Sequence, residues 1–143
     1  MAKSLGTFDF KKLSVIFGVT QLSGFADGDA VDLEEDADAF NSMSGADGFV
    51  DRVKNNANFL KITFRLRQTS PTNQLLSALH NADRVGGITL PLLIKDRSGT
   101  TLVTAAQAWI VKFPKAAYGN QVQTREWMIR TGSQYIVNIG GND

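Results

Sequence analysis

At 143 residues, 43% of them hydrophobic, the chain is the size of one domain with a real core, and two domains would be hard to fit. It has no cysteine, which excludes disulfide staples, thiolate nucleophiles and cysteine-based zinc sites and suits assembly in a reducing cytoplasm. A formal charge of +1 argues against a dedicated nucleic-acid binder, which needs a broad basic face.

Residues 1–12 lack the apolar centre of a signal peptide, and no apolar run approaches the roughly 20 residues needed to cross a bilayer. A soluble, unsecreted protein without a membrane anchor is expected. After the short Phe8-Asp9-Phe10 opening, residues 13–19 form a predicted first strand, with Leu13, Val15, Ile16, Phe17 and Val19 apolar. Residues 23–30 then hold the turn-forming Gly24, Asp27, Gly28 and Asp29, and Gly45-Ala46-Asp47-Gly48 is a second such cluster. Residues 30–41 between them read as a solvated strand or a loop. The clearest strand is 58–68, where Leu60, Ile62, Phe64 and Leu66 alternate with Lys61, Thr63, Arg65 and Arg67. Period two places the first set in the core and the second on a positive outer face, as in an antiparallel sheet buried on one side.

Ser70-Pro71 reads as an N-cap followed by proline at the first helical position, and Leu75, Leu76 and Leu79 recur at helical spacing, which predicts one short helix over 71–82. Gly86 and Gly87 end it. Strands are predicted at 88–95, 100–112, 124–131 and 134–139, joined by turns at 96–99, 114–123 and Gly132-Ser133. The stretch 100–113 exceeds a usual strand, which implies that it bends or reaches beyond its own domain. Trp109 and Trp127 read as core residues, the first on a face with Val103, Ala105, Val111 and Phe113, the second with Ile129. The connections are too short for crossover helices. The fold class is therefore mainly β, an antiparallel sandwich or barrel with one short flanking helix.

The small net charge hides a segregation. Asp27, Asp29, Asp32, Glu34, Glu35, Asp36, Asp38, Asp47 and Asp51 lie between positions 27 and 51 with no Lys or Arg, whereas residues 52–130 hold twelve basic residues against Asp83, Asp96 and Glu126. A monomer is expected to gain little from this, while a self-assembling subunit gains orientation and register. Phe25, Phe40, Met43, Phe49 and Val50 fall in the Gly- and Asp-rich segment, which offers little regular structure to bury them and makes them candidates for contacts with another subunit.

Chemistry is sparse. His80, on the helix beside Leu79, has no designated partner and reads as a surface or half-buried residue. There is no G-x-S-x-G, G-x-x-x-x-G-K-[ST], G-x-G-x-x-G or H-E-x-x-H motif. Calcium ligation fails on spacing. Counting from Asp27 puts Val31 at the fifth loop position and Asp32 where glycine is required, and counting from Asp36 puts Phe40 at the fifth. The acids read as solvated rather than as a tuned glycosidase pair. The chain reads as a non-enzyme with no metal and no cofactor.

The order of residues carries a resemblance. An opening strand and a Gly/Asp-rich segment lead to Asn41-Ser42-Met43-Ser44-Gly45-Ala46-Asp47-Gly48; a strand then runs into Arg65-Leu66-Arg67-Gln68-Thr69-Ser70-Pro71-Thr72-Asn73, and Lys112-Phe113-Pro114 and Glu126-Trp127 follow. From residue 8 to 139 this resembles the tail tube proteins of contractile-tailed bacteriophages. The resemblance implies a single tail-tube domain over 1–143, with 23–57 as a Gly/Asp-rich segment partly used between subunits. It implies hexameric rings, whose strands join one continuous inner barrel, stacked into a hollow tube inside a contractile sheath. The tube would enclose a tape measure and later pass the genome, in a virion tail assembled in the host bacterial cytoplasm.

Partners implied are the chain itself and the sheath, tape measure and baseplate proteins; DNA would pass without specific binding. Asp32, Glu34, Asp36 and Asp38, on one face if extended, are candidates to line the channel and repel phosphates, or to dock on Lys61, Arg65 and Arg67 of a neighbour. Flexible connections at ring-to-ring contacts in the family match residues 41–56 here, which makes Phe40, Met43, Phe49, Val50, Arg52 and Lys54 candidate inter-ring or inter-subunit residues. The stretch 49–54 departs from the family pattern. The alternative is a tube initiator or terminator, or the tube of a phage-derived bacteriocin particle; a small hydrolase or calcium module is the third class.

Overall fold

In a computed structural model, which describes residues 9–28, 30–132 and 134–141, the alternating segments become β1 (Leu13–Phe17), β2 (Thr20–Gln21), β3 (Val31–Glu35), β4 (Phe40–Ser44), β5 (Val50–Lys54), β6 (Leu60–Arg67), α1 (Thr72–Gly86), β7 (Leu90–Asp96), β8 (Leu102–Lys112), β9 (Thr124–Thr131) and β10 (Tyr135–Asn138). Phe8, Asp29 and Ser133, used in reading the sequence, lie outside the described residues. Every strand pair is antiparallel, in the order β2-β1-β7-β8-β9-β6-β3 with β10 added to β8, and β4-β5 stands as a separate two-stranded ribbon. Among the described residues no helix is long and apolar enough to cross a membrane.

β8 organises the core. β7 covers one of its edges, and on the other edge residues 102–105 meet β10 while residues 108–112 meet β9. The long strand therefore belongs to two half-sheets, β2-β1-β7-β8-β10 and β8-β9-β6-β3. A register shift between its pairings at Ala105 and Ala108 lets it pass from one to the other. The inner faces of both halves bury one cluster that joins Val15, Phe17, Leu92, Ile94 and Val103 to Leu60, Ile62, Phe64, Leu66, Trp127 and Ile129. Full burial of each large side chain there stabilises by about 1.5–3 kcal/mol.

The same shift corrects the placement of Trp109. The bulge inserts a residue, so burial moves from Val103 and Ala105 to Ala108 and Ile110. Trp109 is turned to the outer face opposite Arg130 and is half-buried, while Val111 and Phe113 are exposed. Trp127 is core, as expected.

The helix starts one residue later than predicted and runs one turn further. Pro71 stands at the cap with helical φ, and the Ser70 hydroxyl accepts the Thr72 N–H at 3.3 Å. Gly87, at φ +65, stops the helix in a left-handed cap whose N–H reaches the Asp83 carbonyl. Thr72, Leu76 and His80 form its buried stripe. Gly24 holds the chain against this helix start. Its φ is +72, and a methyl group there would collide with the Ser70 side chain, whose hydroxyl donates to the Ser23 carbonyl at 2.7 Å. Gly24→Ala is expected to lower stability by at least about 1–3 kcal/mol, read as a lower urea midpoint at unchanged slope.

Candidate assembly surfaces

The acidic and basic segments meet within one chain. β3 pairs with β6 so that Val31 and Leu33 turn inward while Asp32 stands opposite Thr63 and Glu34 opposite Lys61. From there Asp32 accepts a hydrogen bond from the Arg65 guanidinium at 2.7 Å, and Arg65 also lies 3.3 Å from Glu126 on β9. Arg130 is 3.8 Å from Asp36. The segregation of charge thus already serves the monomer, because sheet pairing brings the two segments together. Past Glu35 the chain bends at Asp36 and Ala37, which takes Asp36 and Asp38 off the strand face of Asp32 and Glu34. Glu34, Asp38, Lys61 and Arg67 form no ion pair among the described residues. Both partners of the Asp32–Arg65 pair are partly exposed, so Asp32→Asn is expected to cost at most about 1 kcal/mol by urea denaturation.

Residues 40–54, expected to hold little regular structure, form the β4-β5 hairpin. Its turn is Gly45–Phe49: the Gly45 N–H donates to the Phe49 carbonyl at 2.8 Å, and Asp47 accepts the Phe49 N–H at 3.3 Å. The pairs Phe40↔Lys54, Ser42↔Arg52 and Ser44↔Val50 share one face, with the Arg52 guanidinium 4.1 Å over the Phe40 ring; Met43, Asp51 and Val53 share the other. The base is tied down. Asn55 bonds to Ala39 and Asp38, and Asn58 donates to Glu35 at 2.8 Å while accepting from Ala37 at 3.1 Å. Beyond that base every strand residue is exposed, including Met43 at 67%, and Phe49 in the turn stands 75% exposed. The candidates Phe40, Met43, Phe49, Val50, Arg52 and Lys54 therefore lie on one projecting element. Phe25, grouped with them by sequence, does not: it bridges to Leu66, meets the Phe10 ring edge at 5.3 Å and packs on the core.

Concavities lie elsewhere on the surface. An apolar groove of about 680 Å³ runs over the outer face of β1, β7, β8 and β10, between Ile16, Leu93, Ala106 and Ile136. Tyr135 lines it. Burial, then the Glu35 carboxylate, pushes the Tyr135 phenol above its ordinary 10.0. Its ionisation should thus withdraw stability as pH rises past 10, and Tyr135→Phe should remove that loss; ultraviolet titration of both proteins checks it.

The second concavity, about 490 Å³, opens between the start of α1 and the 113–118 loop and contains Phe113, Tyr118, Arg125 and Trp127. In the sequence Arg125 is one basic residue among the twelve of 52–130. No local pattern marks it, since its neighbours come from the helix and from a loop eight residues upstream. His80 is buried, contrary to the surface or half-buried reading, because its ring meets Phe113 edge-on at 4.6 Å; its Nδ1 has no hydrogen-bond partner among the described residues. Among the described residues no group of three or more His, Cys, Asp or Glu side chains could hold a metal ion.

Residues 13–138 match the family described as Bacteriophage PhiTE tail tube protein. The chain is 37% identical over 112 residues to structural protein ORF10 of Pseudomonas phage KPP10, covering 76% of this chain and 64% of that relative. Similar solved folds include the tube-terminating cap of the anti-feeding prophage (TM-score 0.65, 12% identity, 96% of this chain and 95% of that one). A chain of the sheath–tube complex of an extracellular contractile injection system follows at TM-score 0.60, 14% identity, and 92% and 91% coverage. A chain of a gene transfer agent virion gives 0.64, 10% identity, and 93% and 100%.

Proposed function

Because the chain belongs to the bacteriophage tail tube protein family, we propose that it is the repeating subunit of a tail tube, forming hexameric rings that stack into a hollow conduit for tape measure and genome within a contractile sheath. The observation that carries this is the hairpin: two five-residue strands, exposed along their whole length and bearing apolar side chains on both faces, gain little as a monomer's surface and are suited to insertion against another copy. The half-sheet β2-β1-β7-β8-β10 ends in two short strands, β2 and β10, whose outer edges are unpaired among the described residues. Pairing those edges around a ring would remove both and give the continuous inner barrel. Segment 23–57 then contributes to contacts between subunits within the single domain, 1–143.

The acids of β3 and of the bend after it belong to the other half-sheet, β8-β9-β6-β3, so in this reading they face a neighbouring copy and not the channel. Glu34 and Asp38, which form no ion pair among the described residues, are then available to Lys61 and Arg67 of that copy, with Asp32 and Asp36 beside them. Replacing all four by Asn or Gln should impair assembly; full retention of assembly would remove them from the contact. A terminator that closes a tube with one ring is the second reading, favoured by the fold shared with the tube-terminating cap. Sedimentation velocity over rising protein concentration tests the proposal. Rings growing into open-ended polymers are expected, a limit at one ring selects the terminator, and a monomer at every concentration contradicts both.

A further inference from the structure

Arg125 is an anomaly in an otherwise ordinary sheet. It is only 7% exposed, yet it forms no ion pair among the described residues, and its partners there are the Ala117 carbonyl, to which Nη1 donates at 3.3 Å, and the Tyr118 ring 5.1 Å away. A guanidinium carries five N–H donors, and withdrawing it from water without an anion is costly. Its surroundings leave a way in. Arg125 lines the 490 Å³ concavity with Phe113, Pro114, Tyr118 and Trp127, and Tyr118 is 81% exposed at its rim. A cation at the back of an aromatic-walled hollow fits a carboxylate presented next to an apolar or aromatic group.

The same chain displays that pair at the tip of its hairpin. Asp47 sits exposed in the turn with Phe49; one carboxylate oxygen accepts the Phe49 N–H, and the carboxylate forms no ion pair among the described residues. The tip is carried from the opposite end of β6. The hairpin leaves the sheet ahead of Leu60, at the start of β6, whereas the concavity lies at the far end of that strand, beside Gln68 and Arg125. At roughly 3.3 Å per residue the eight residues of β6 put the base of the hairpin and the concavity about 20 Å or more apart. A projection at one end and a hollow at the other make a heterologous contact, which repeats from copy to copy and continues as an open stack when the rotation between copies does not close.

We propose that the Arg125 hollow is the receptor for the hairpin tip of a second copy, with the Asp47 carboxylate on the guanidinium and Phe49 against Tyr118 and Phe113. This rests on the reading that copies assemble, and it names the residues by which one layer grips the next.

The chain has no cysteine, so Ala46→Cys in the turn and Ala116→Cys at the hollow can be introduced as the sole thiols. A disulfide forms only if the two Cα atoms come within about 7 Å, which the monomer forbids. Under mild oxidation the double variant should give a ladder of linked oligomers, each single variant at most a dimer, and added Asp47→Asn should cut the linked product about tenfold, with Asp47→Glu restoring it. Tubes in the microscope without linkage would overturn this receptor and leave the tube reading standing. Linkage without tubes would keep the receptor and remove the tube. Absence of both would overturn the two together.

Discussion

Trp127→Ala is expected to lower the unfolding free energy by about 3–5 kcal/mol, the largest stability loss of any change proposed for this chain. Trp127 is 1% exposed and sits opposite Phe64 in the β6–β9 pairing, at the centre of the shared cluster. Its indole N–H also donates to Asn73 at 2.9 Å. That asparagine spends its amide on the Arg67 and Ser70 carbonyls, at 2.9 and 3.2 Å, so the tryptophan anchors the turn that launches the helix as well as filling the core. Truncation would open a cavity and leave the Asn73 carbonyl unpaired. Domains of this size hold roughly 5–15 kcal/mol in all, so the loss is a large fraction of the total. Urea denaturation at concentrations too low for assembly measures it, and a loss under about 1 kcal/mol would mean that the β6–β9 face is not the core.

The second large effect separates folding from assembly. Phe49→Ser with Met43→Ser should leave monomer stability within about 0.5 kcal/mol and abolish polymer formation. Both side chains are mostly exposed, so the monomer draws almost nothing from them. In a stack each would be buried against another copy at about 1.5–3 kcal/mol per side chain, and every subunit of every ring repeats the contact. Light scattering at matched concentration, beside thermal unfolding, reads both quantities. Unchanged polymer would show that the hairpin is not a contact, and a lowered melting temperature would show that it packs on its own chain.

The elements legible in sequence are those whose alternation a buried face enforces. β6 was legible because Leu60, Ile62, Phe64 and Leu66 fall in step against one core, and β9 has the bounds its pattern predicts, Thr124–Thr131. β8 was legible in length but not in facing. A bulge carries no residue signature here, and beyond it the apolar Trp109 and Val111 look like core until the partner register is known. The hairpin escaped for the opposite reason. Neither of its faces is buried, so Phe40-Asn41-Ser42-Met43-Ser44 and Val50-Asp51-Arg52-Val53-Lys54 show no period-two hydrophobic signal. Two equal segments flanking a Gly-Ala-Asp-Gly turn were the available clue. Its candidate contact residues were nonetheless singled out, because aromatic side chains in a Gly- and Asp-rich stretch have no inside to occupy. The charge segregation was visible as a sum, but its first use was hidden: only the β3–β6 register shows that Asp32 meets Arg65 of the same chain. Arg125 was invisible for a related reason, since a buried cation is defined by what the tertiary fold fails to place beside it.

The most direct measurement is negative-stain electron microscopy of the purified protein over a range of concentrations. Hollow tubes of uniform width, lengthening with concentration and built from stacked six-fold rings, are the expected result. Particles that stay monomeric at every concentration, with the fold intact by circular dichroism, would contradict a tube that forms from this chain's own surfaces.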